Sequence, residues 1–266
     1  MSAPLADRLR PQTLDDVVGQ RHLLAEGKAL RRIIDSGQIP NMVFYGPSGV
    51  GKTTLATMIA KTTNRKLVKM NGTTASTSDI KDVISNLNTF ETMNGVLLYL
   101  DEIQYFNKKQ QQILLEFIEN GQITLIASTT ENPYFAVNNA VISRVRNIYE
   151  FKRLETNDIV TIIKRTLKDK EKGLGNISIK YDEEALTVLA DMSGGDARVA
   201  LDTLGFIVDN LSEKNKIDVK IIEEALQRQT AFYDKKEDKY NLLSALQKSI
   251  RGSDPDAAVH YLARLI

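Results

Sequence analysis

Eight consecutive residues constrain this chain more than any other feature: Gly46-Pro-Ser-Gly-Val-Gly-Lys-Thr53, which fits G-x-x-x-x-G-K-[ST]. Backbone N–H groups can turn inward around phosphate oxygens only where no Cβ obstructs them, and the three glycines meet that need. The pattern also demands a context. A strand must deliver the loop and a helix must leave it, so that the helix N-terminus adds its partial positive charge. Both are present, an apolar run over Met42 to Tyr45 and a helical pattern over Thr53 to Lys61. Gly46, Pro47, Ser48, Gly49, Val50, Gly51, Lys52, Thr53 and Thr54 are therefore the candidate phosphate-site residues. Lys52 is placed to reach the β- and γ-phosphates of ATP, and the Thr53 hydroxyl to ligate magnesium.

The alternation continues beyond the loop. Leu67–Met70, Val96–Leu100, Ile123–Ala127 and Ile148–Phe151 read as further strands. Several are almost continuously apolar, as strands buried on both faces of a parallel sheet are. Helical patterns lie between them at Asp79–Leu87 and Lys108–Glu119, the latter opened by Asn107 and Gln110 at capping-box spacing. Upstream, Gln20 to Ile34 reads as one helix, and the proline-flanked segment from Pro4 to Thr13 as extended coil. The fold class is α/β, a parallel-sheet core over residues 1–152. After Arg153 the strand patterns stop. Thr156–Lys170, Asp182–Met192, Asp196–Leu211 and Asp218–Gln229 read as helices of an all-α lid over residues 153–232, with glycine breaks between them. Residues 233–266 form the start of a third, helical segment: Asp234 to Lys239 is a linker or a solvated helix start, followed by helices over Tyr240–Ile250 and Asp256–Ile266. The last of these stops in mid-pattern, which implies a piece of a longer protein.

Composition narrows the chemistry. There is no Cys, and the two histidines, His22 and His260, are far apart. That removes thiol nucleophiles, Cys-based zinc sites and redox motifs, and disfavours a histidine triad. Lys, Arg, Asp, Glu, Thr or the backbone must carry any reaction. With 35 Lys and Arg against 34 Asp and Glu, the chain lacks the basic excess of a protein that coats DNA alone. A nucleic-acid surface would need a local patch or an assembly. No apolar run is long enough to span a bilayer, and the first ten residues lack a signal peptide's apolar stretch, so a cytoplasmic location is expected.

A second motif complements the first. Val96-Leu-Leu-Tyr-Leu-Asp-Glu-Ile103 brings Asp101 and Glu102 to the C-terminal end of a buried strand, where open α/β sheets bind ligands. Asp101 is expected to hold magnesium through water. Glu102 is expected to orient the attacking water, because in-line phosphoryl transfer depends on a placed nucleophile. At the next strand end, Ser128-Thr-Thr-Glu-Asn-Pro133 offers Thr130 to the γ-phosphate or the water. Arg144, in Ala140-Val-Ile-Ser-Arg-Val-Arg146, could reach a neighbouring subunit's γ-phosphate. In Gly194-Gly-Asp-Ala-Arg198, Asp196 suits a helix N-cap, and Arg198 in the first turn could reach a phosphate.

Together these residues resemble those of the AAA+ ATPases. Gly46–Thr53 and Asp101-Glu102 match the two nucleotide motifs, and Thr130 matches the sensor-1 position. Ser143-Arg144-Val145 resembles the clamp-loader finger motif with Val145 in place of Cys, so either Arg144 or Arg146 is the finger. Gly195-Asp-Ala-Arg198 resembles the sensor-2 motif, and Leu14 to Gln20, with Val17 and Val18, the segment that cradles adenine. Within the superfamily, Ser128-Thr-Thr-Glu-Asn-Pro-Tyr-Phe135, Pro4 to Pro11 and Gly194 to Arg198 are similar to the replication-associated recombination protein A family. Its eukaryotic relative is the Werner-helicase-interacting ATPase. The resemblance implies a DNA-stimulated ATPase acting in replication-fork rescue, recombination and repair on single-stranded, gapped or forked DNA. It also implies a homotetramer in the full-length chain, partnership with single-strand-binding protein and replisome components, and a nucleoid-associated cytoplasmic location. Competing readings are a clamp-loader subunit, a branch-migration motor, or an ATP-switched scaffold with little turnover. Basic clusters at Lys61, Arg65, Lys66 and Lys69 and at Lys108-Lys109 are candidate DNA contacts or solvated faces.

Overall fold

The computed structural model describes residues 3–85, 87, 92, 94–121, 123–211, 216–225, 246–252 and 254–265. Five strands, β1 (Met42–Tyr45), β2 (Lys66–Asn71), β3 (Val96–Asp101), β4 (Ile123–Thr129) and β5 (Asn147–Glu150), form one sheet in the order β2-β3-β4-β1-β5. Every neighbouring pair is parallel, with Met42 opposite both Ile126 and Asn147, and Leu97 opposite Leu67 and Thr124. All five predicted strands are present, each within two residues of its expected ends.

Side chains alternate across the sheet, so each strand feeds two cores. Met42, Phe44, Leu97, Tyr99 and Ile126 pack on one face with Leu30, Ile34, Leu55, Ile59 and Phe151. Val43, Val96, Leu98, Leu100, Leu125 and Ala127 pack on the other with Ile80, Leu114, Ile118, Val141 and Val145. Burial on both sides is why β3 is apolar at five successive positions. The helices up to β5 are α1 (Leu5–Arg8), α2 (Arg21–Leu24), α3 (Ala29–Ser36), α4 (Lys52–Thr62), α5 (Thr77–Ser85), α6 (Lys108–Glu119), α7 (Pro133–Ala136) and α8 (Asn139–Val145). The capping box of α6 forms as expected, Asn107 Oδ1 accepting from Gln110 N at 2.9 Å and Gln110 Oε1 from Asn107 N at 2.9 Å.

Two local expectations are corrected, and one unassigned segment gains structure. The segment from Pro4 to Thr13 is not wholly coil: Pro4 precedes the short helix α1, its carbonyl accepting from Asp7 N at 3.0 Å, and Leu5 is buried. The single helix over Gln20–Ile34 is two, α2 and α3, because Gly27 sits at φ +78° between them, in the left-handed region that breaks a helix. The segment after β4, to which the sequence pattern assigns no element, is helical. Asn132 and Asn138 cap α7 and α8 by accepting from Tyr134 N at 3.0 Å and Ala140 N at 2.9 Å.

Helices α9 (Thr156–Lys168), α10 (Glu183–Met192) and α11 (Ala197–Asp209) follow, with a further helix at Pro255–Leu265, and no strand follows β5 among the described residues. Two compact units are distinguished: Met1–Ile179 with Leu186–Gly205, and Lys180–Ala185 with Phe206–Ile266. In the second, Ile217 N donates to Lys180 O at 2.9 Å and Asp182 N to Ile217 O at 3.0 Å, around buried Ile207, Ile217, Ile222 and Ala225. The charged stretch Asp234–Lys239, the end of the helix expected over Asp218–Gln229, and most of that over Tyr240–Ile250 lie outside the described residues.

Gly46 is a position where the fold leaves no room for a side chain. Its φ is +139°, and a Cβ there would come within 2.1 Å of the Phe151 carbonyl oxygen. That oxygen belongs to backbone already tied to β1, with Phe151 N donating to Tyr45 O at 2.7 Å. Gly46→Ala is expected to lower unfolding free energy by about 2–4 kcal/mol, measured by chemical denaturation. An unchanged midpoint would contradict this packing.

Candidate functional site

The glycine-rich loop crosses from the C-terminal end of β1 to the start of α4, at the sheet edge where β3 and β4 also end. Gly46, Gly49 and Gly51 all have positive φ, at +139°, +65° and +101°. Lys52 follows in the first turn of α4 and is buried, its Nζ donating to Gly46 O and Pro47 O at 2.6 Å each. Burial pushes its ammonium below its ordinary value, while Glu102, Asp101 and Asp196 pull the other way. A cation held by carbonyls and short of solvent is a ready partner for phosphate oxygens.

Thr53 and Asp101, predicted as magnesium residues, are brought together by two hydroxyls. Tyr99 OH lies 2.9 Å from Thr53 Oγ1, 3.2 Å from Asp101 Oδ1 and 2.8 Å from Ser128 Oγ, and Ser128 Oγ donates to Asp101 Oδ1. Burial is the largest cause raising the Tyr99 phenol above its ordinary value, and Asp101 adds to it, so the phenol stays protonated. Among the described residues no cluster of three His, Cys, Asp or Glu could cage a metal. A hard-oxygen set of one hydroxyl and one carboxylate suits magnesium, which keeps waters and takes its other ligands from phosphates. The donor chemistry fits that ion.

Glu102 takes φ +54°, unusual for a residue with a long side chain. Behind it, Gly72 N donates to Asp101 O at 2.7 Å, and a Cβ on Gly72 would come within 2.1 Å of the Glu102 carbonyl oxygen. Glu102 Oε2 accepts from Gln104 Nε2 and, at 3.3 Å, from Thr130 Oγ1. The acid and the strand-end threonine therefore meet, as a water-positioning pair must.

Arg198 also lies at the loop. Asp196 caps α11, accepting at Oδ1 from Arg198 N at 2.8 Å and Val199 N at 3.2 Å, while its Oδ2 accepts from Ser48 Oγ at 2.9 Å. Gly49 has no room for a side chain because Asp196 Oδ1 would sit 1.7 Å from its Cβ. Gly195, at φ +83°, lets the backbone press against Leu154, whose N donates to Gly195 O at 3.2 Å. A cavity of about 410 Å³ runs along this junction. Val17, Val18, Lys52, Thr53, Thr54, Asp101, Glu102 and Arg198 line it, together with Pro11, Ile162 and Arg165. Its size and mixed lining suit a nucleotide.

Arg144 and Arg146 stand apart from this cavity. Arg144, half-exposed at the end of α8, pairs with Glu119 at 2.6 Å, and Arg146 is exposed with φ +55°. Of the basic clusters, Lys66 and Lys69 are exposed on β2, which lies at the sheet edge, and Lys108 and Lys109 open α6. Lys side chains on an edge strand also block edge-to-edge pairing.

Three contributors have no role of their own in the sequence pattern, although Ser128 and Gln20 lie in segments singled out above. Tyr99 and Ser128 sit at buried strand positions where the apolar pattern hides a hydroxyl. Buried Gln20 donates through Nε2 to Lys152 O at 2.6 Å and accepts at Oε1 from Lys152 N at 3.1 Å, fastening the segment before α2 beside β5. The dipeptide Gly19-Gln20 ahead of a helix was the one available sign, since both residues take positive φ.

Known proteins resemble this chain in sequence and in fold. Residues 42–153 match the family described as ATPase family associated with various cellular activities (AAA), and residues 175–251 match an AAA C-terminal domain. The replication-associated recombination protein A of Haemophilus influenzae is 41% identical over 99% of this chain and 60% of its own length. The protein of that name from Bacillus subtilis is 42% identical over 99% of this chain and 63% of its own length. The chain thus spans less than two thirds of either relative. Among solved structures, the Thermotoga maritima RuvB Holliday junction branch migration motor superposes with a TM-score of 0.71 at 24% identity, over 92% of this chain and 81% of that one.

Proposed function

The chain belongs to the AAA ATPase family, in the group of the replication-associated recombination protein A relatives, and from that premise we propose that it hydrolyses ATP and couples the cycle to DNA. The observation that carries the reading is the convergence of loop, acidic pair and Thr130 at one sheet edge, with Glu102 and Thr130 sharing a hydrogen bond. Lys52 and the loop N–H groups bind the phosphates. Val17 and Val18 border the base, and Arg198 covers the phosphates from α11. Magnesium, when bound through Thr53 and Asp101, neutralises phosphate charge. Glu102 holds and polarises the attacking water, and Thr130 fixes the carboxylate and the water relative to the γ-phosphate.

Arg144 acts in trans. Its position outside its own chain's cavity supports this, as does its exposure. Arg144→Ala is expected to slow hydrolysis by about 10³-fold while sparing nucleotide binding. Mixing it with a Lys52-defective chain should restore part of the rate, because an interface that sets the loop of the Arg144→Ala chain against the finger of the Lys52-defective chain has both parts intact. No recovery at any ratio would refute the trans role, and the same experiment with Arg146→Ala separates the two arginines.

The homologues' names, which refer to replication and recombination, support DNA as the partner; we take its form to be single-stranded, gapped or forked, and the full-length protein to be a tetramer. Single-strand-binding protein and replisome components are further partners in this reading, and the location is cytoplasmic, in association with the nucleoid. In this reading residues 1–152 are the nucleotide core, 153–232 the lid and 233–266 the beginning of an oligomerisation segment. No helix among the described residues is long and apolar enough to cross a membrane. With nearly balanced charge, DNA affinity comes from several subunits together and falls steeply with salt. The deciding experiment measures the ATPase rate of the full-length protein against single-stranded, gapped and forked DNAs. Stimulation by at least one supports the reading, and no response to any of them rejects it.

A further inference from the structure

We propose that Tyr99, acting with Ser128, is a positioning residue that fixes the direction of the Thr53 hydroxyl and so sets how tightly the loop takes magnesium with its nucleotide. The proposal rests on the ATP-binding reading above. Tyr99 is among the largest fully buried side chains of the protein, 1% exposed, on the sheet face covered by α4. An apolar residue would fill that space without the cost of burying a hydroxyl, about 1–3 kcal/mol if left unpaired. Here the hydroxyl is paired three ways, and two of its partners, Thr53 and Asp101, are the candidate magnesium residues.

The protons can be counted. Each hydroxyl carries one hydrogen, and a carboxylate can only accept. Ser128 Oγ donates to Asp101 Oδ1. With the Ser128 hydrogen spent on Asp101, the 2.8 Å contact between Tyr99 OH and Ser128 Oγ must carry the Tyr99 hydrogen. Thr53 Oγ1, 2.9 Å from the phenol oxygen, is then left as the donor. The chain runs Thr53 to Tyr99 to Ser128 to Asp101, with every hydrogen pointing to the carboxylate. A Thr53 proton turned into the core leaves its lone pairs for the cavity, where a cation needs them. Without the phenol, the Thr53 hydroxyl is free to rotate, and ordering it falls to the incoming ion.

The test is fluorescent ADP binding, titrated against magnesium and repeated in chelator, for wild type, Tyr99→Phe, Ser128→Ala and the double variant. Magnesium-free affinity and thermal midpoint should stay near wild type in Tyr99→Phe, while the magnesium concentration at half-saturation rises about 10-fold. Either single change interrupts the same chain, so the double variant should be little worse than Tyr99→Phe. If Tyr99→Phe does not fold, a rise of the same kind in Ser128→Ala carries the proposal. An unchanged magnesium requirement in a folded Tyr99→Phe overturns it. So does an equal loss of affinity with and without magnesium, the mark of a merely structural role. Absence of magnesium-dependent nucleotide binding in wild type would instead reject the ATP site itself.

Discussion

Glu102→Gln is expected to leave ATP bound and to slow its hydrolysis by about 10²–10⁴-fold, the usual contribution of a positioned base. The side chain sits at the end of β3 on a left-handed backbone and accepts from Gln104 and Thr130. Glutamine has the same length and can keep one of these bonds through its amide oxygen, so the site should hold its shape. What it loses is the negative charge that draws a proton from water. Because Glu102 does not hold the phosphates in this account, affinity for fluorescent ATP should change little. Phosphate release at the wild-type rate would remove Glu102 from the mechanism.

Lys52→Met should act at the other stage, weakening nucleotide binding by about two to four orders of magnitude. The ammonium donates to the Gly46 and Pro47 carbonyls at 2.6 Å, poised where phosphate oxygens would arrive. Hydrogen bonds to charged partners contribute about 1.5–3 kcal/mol each, and losing two gives the stated range. Methionine keeps most of the aliphatic stem, so packing of α4 against the sheet should survive. Burial already opposes the Lys52 charge in the free protein, and its removal should not lower the thermal midpoint much. Nucleotide affinity within threefold of wild type would contradict the placement of Lys52.

The contrast between these residues and Tyr99 shows what a sequence discloses. Strands buried on both faces must be apolar almost throughout, so β1, β3 and β4 announce themselves, and the glycine loop at the end of β1 is legible with them. Lys52, Asp101 and Glu102 are polar residues at fixed distances from apolar runs. Tyr99 is different, because an aromatic in a strand reads as core and its hydroxyl leaves no trace in the pattern. The Ser48–Asp196 contact is hidden for another reason: the partners are 148 residues apart and meet only when α11 packs at the loop. The split between α2 and α3 was visible in Gly27, but periodicity across Gln20–Ile34 outweighed it. Helices α7 and α8 were signalled by Asn132-Pro133 and Asn138, cap residues that also serve turns.

Central to this account is that one site, between the loop and the acidic pair, hydrolyses ATP. Inorganic phosphate released from ATP, measured for wild type, Lys52→Met and Glu102→Gln with magnesium and with chelator, tests it most directly. Wild type should release phosphate continuously and only with magnesium, and both variants should fall to near background. Release that persists in both variants, or that ignores the chelator, would place hydrolysis elsewhere and contradict the account.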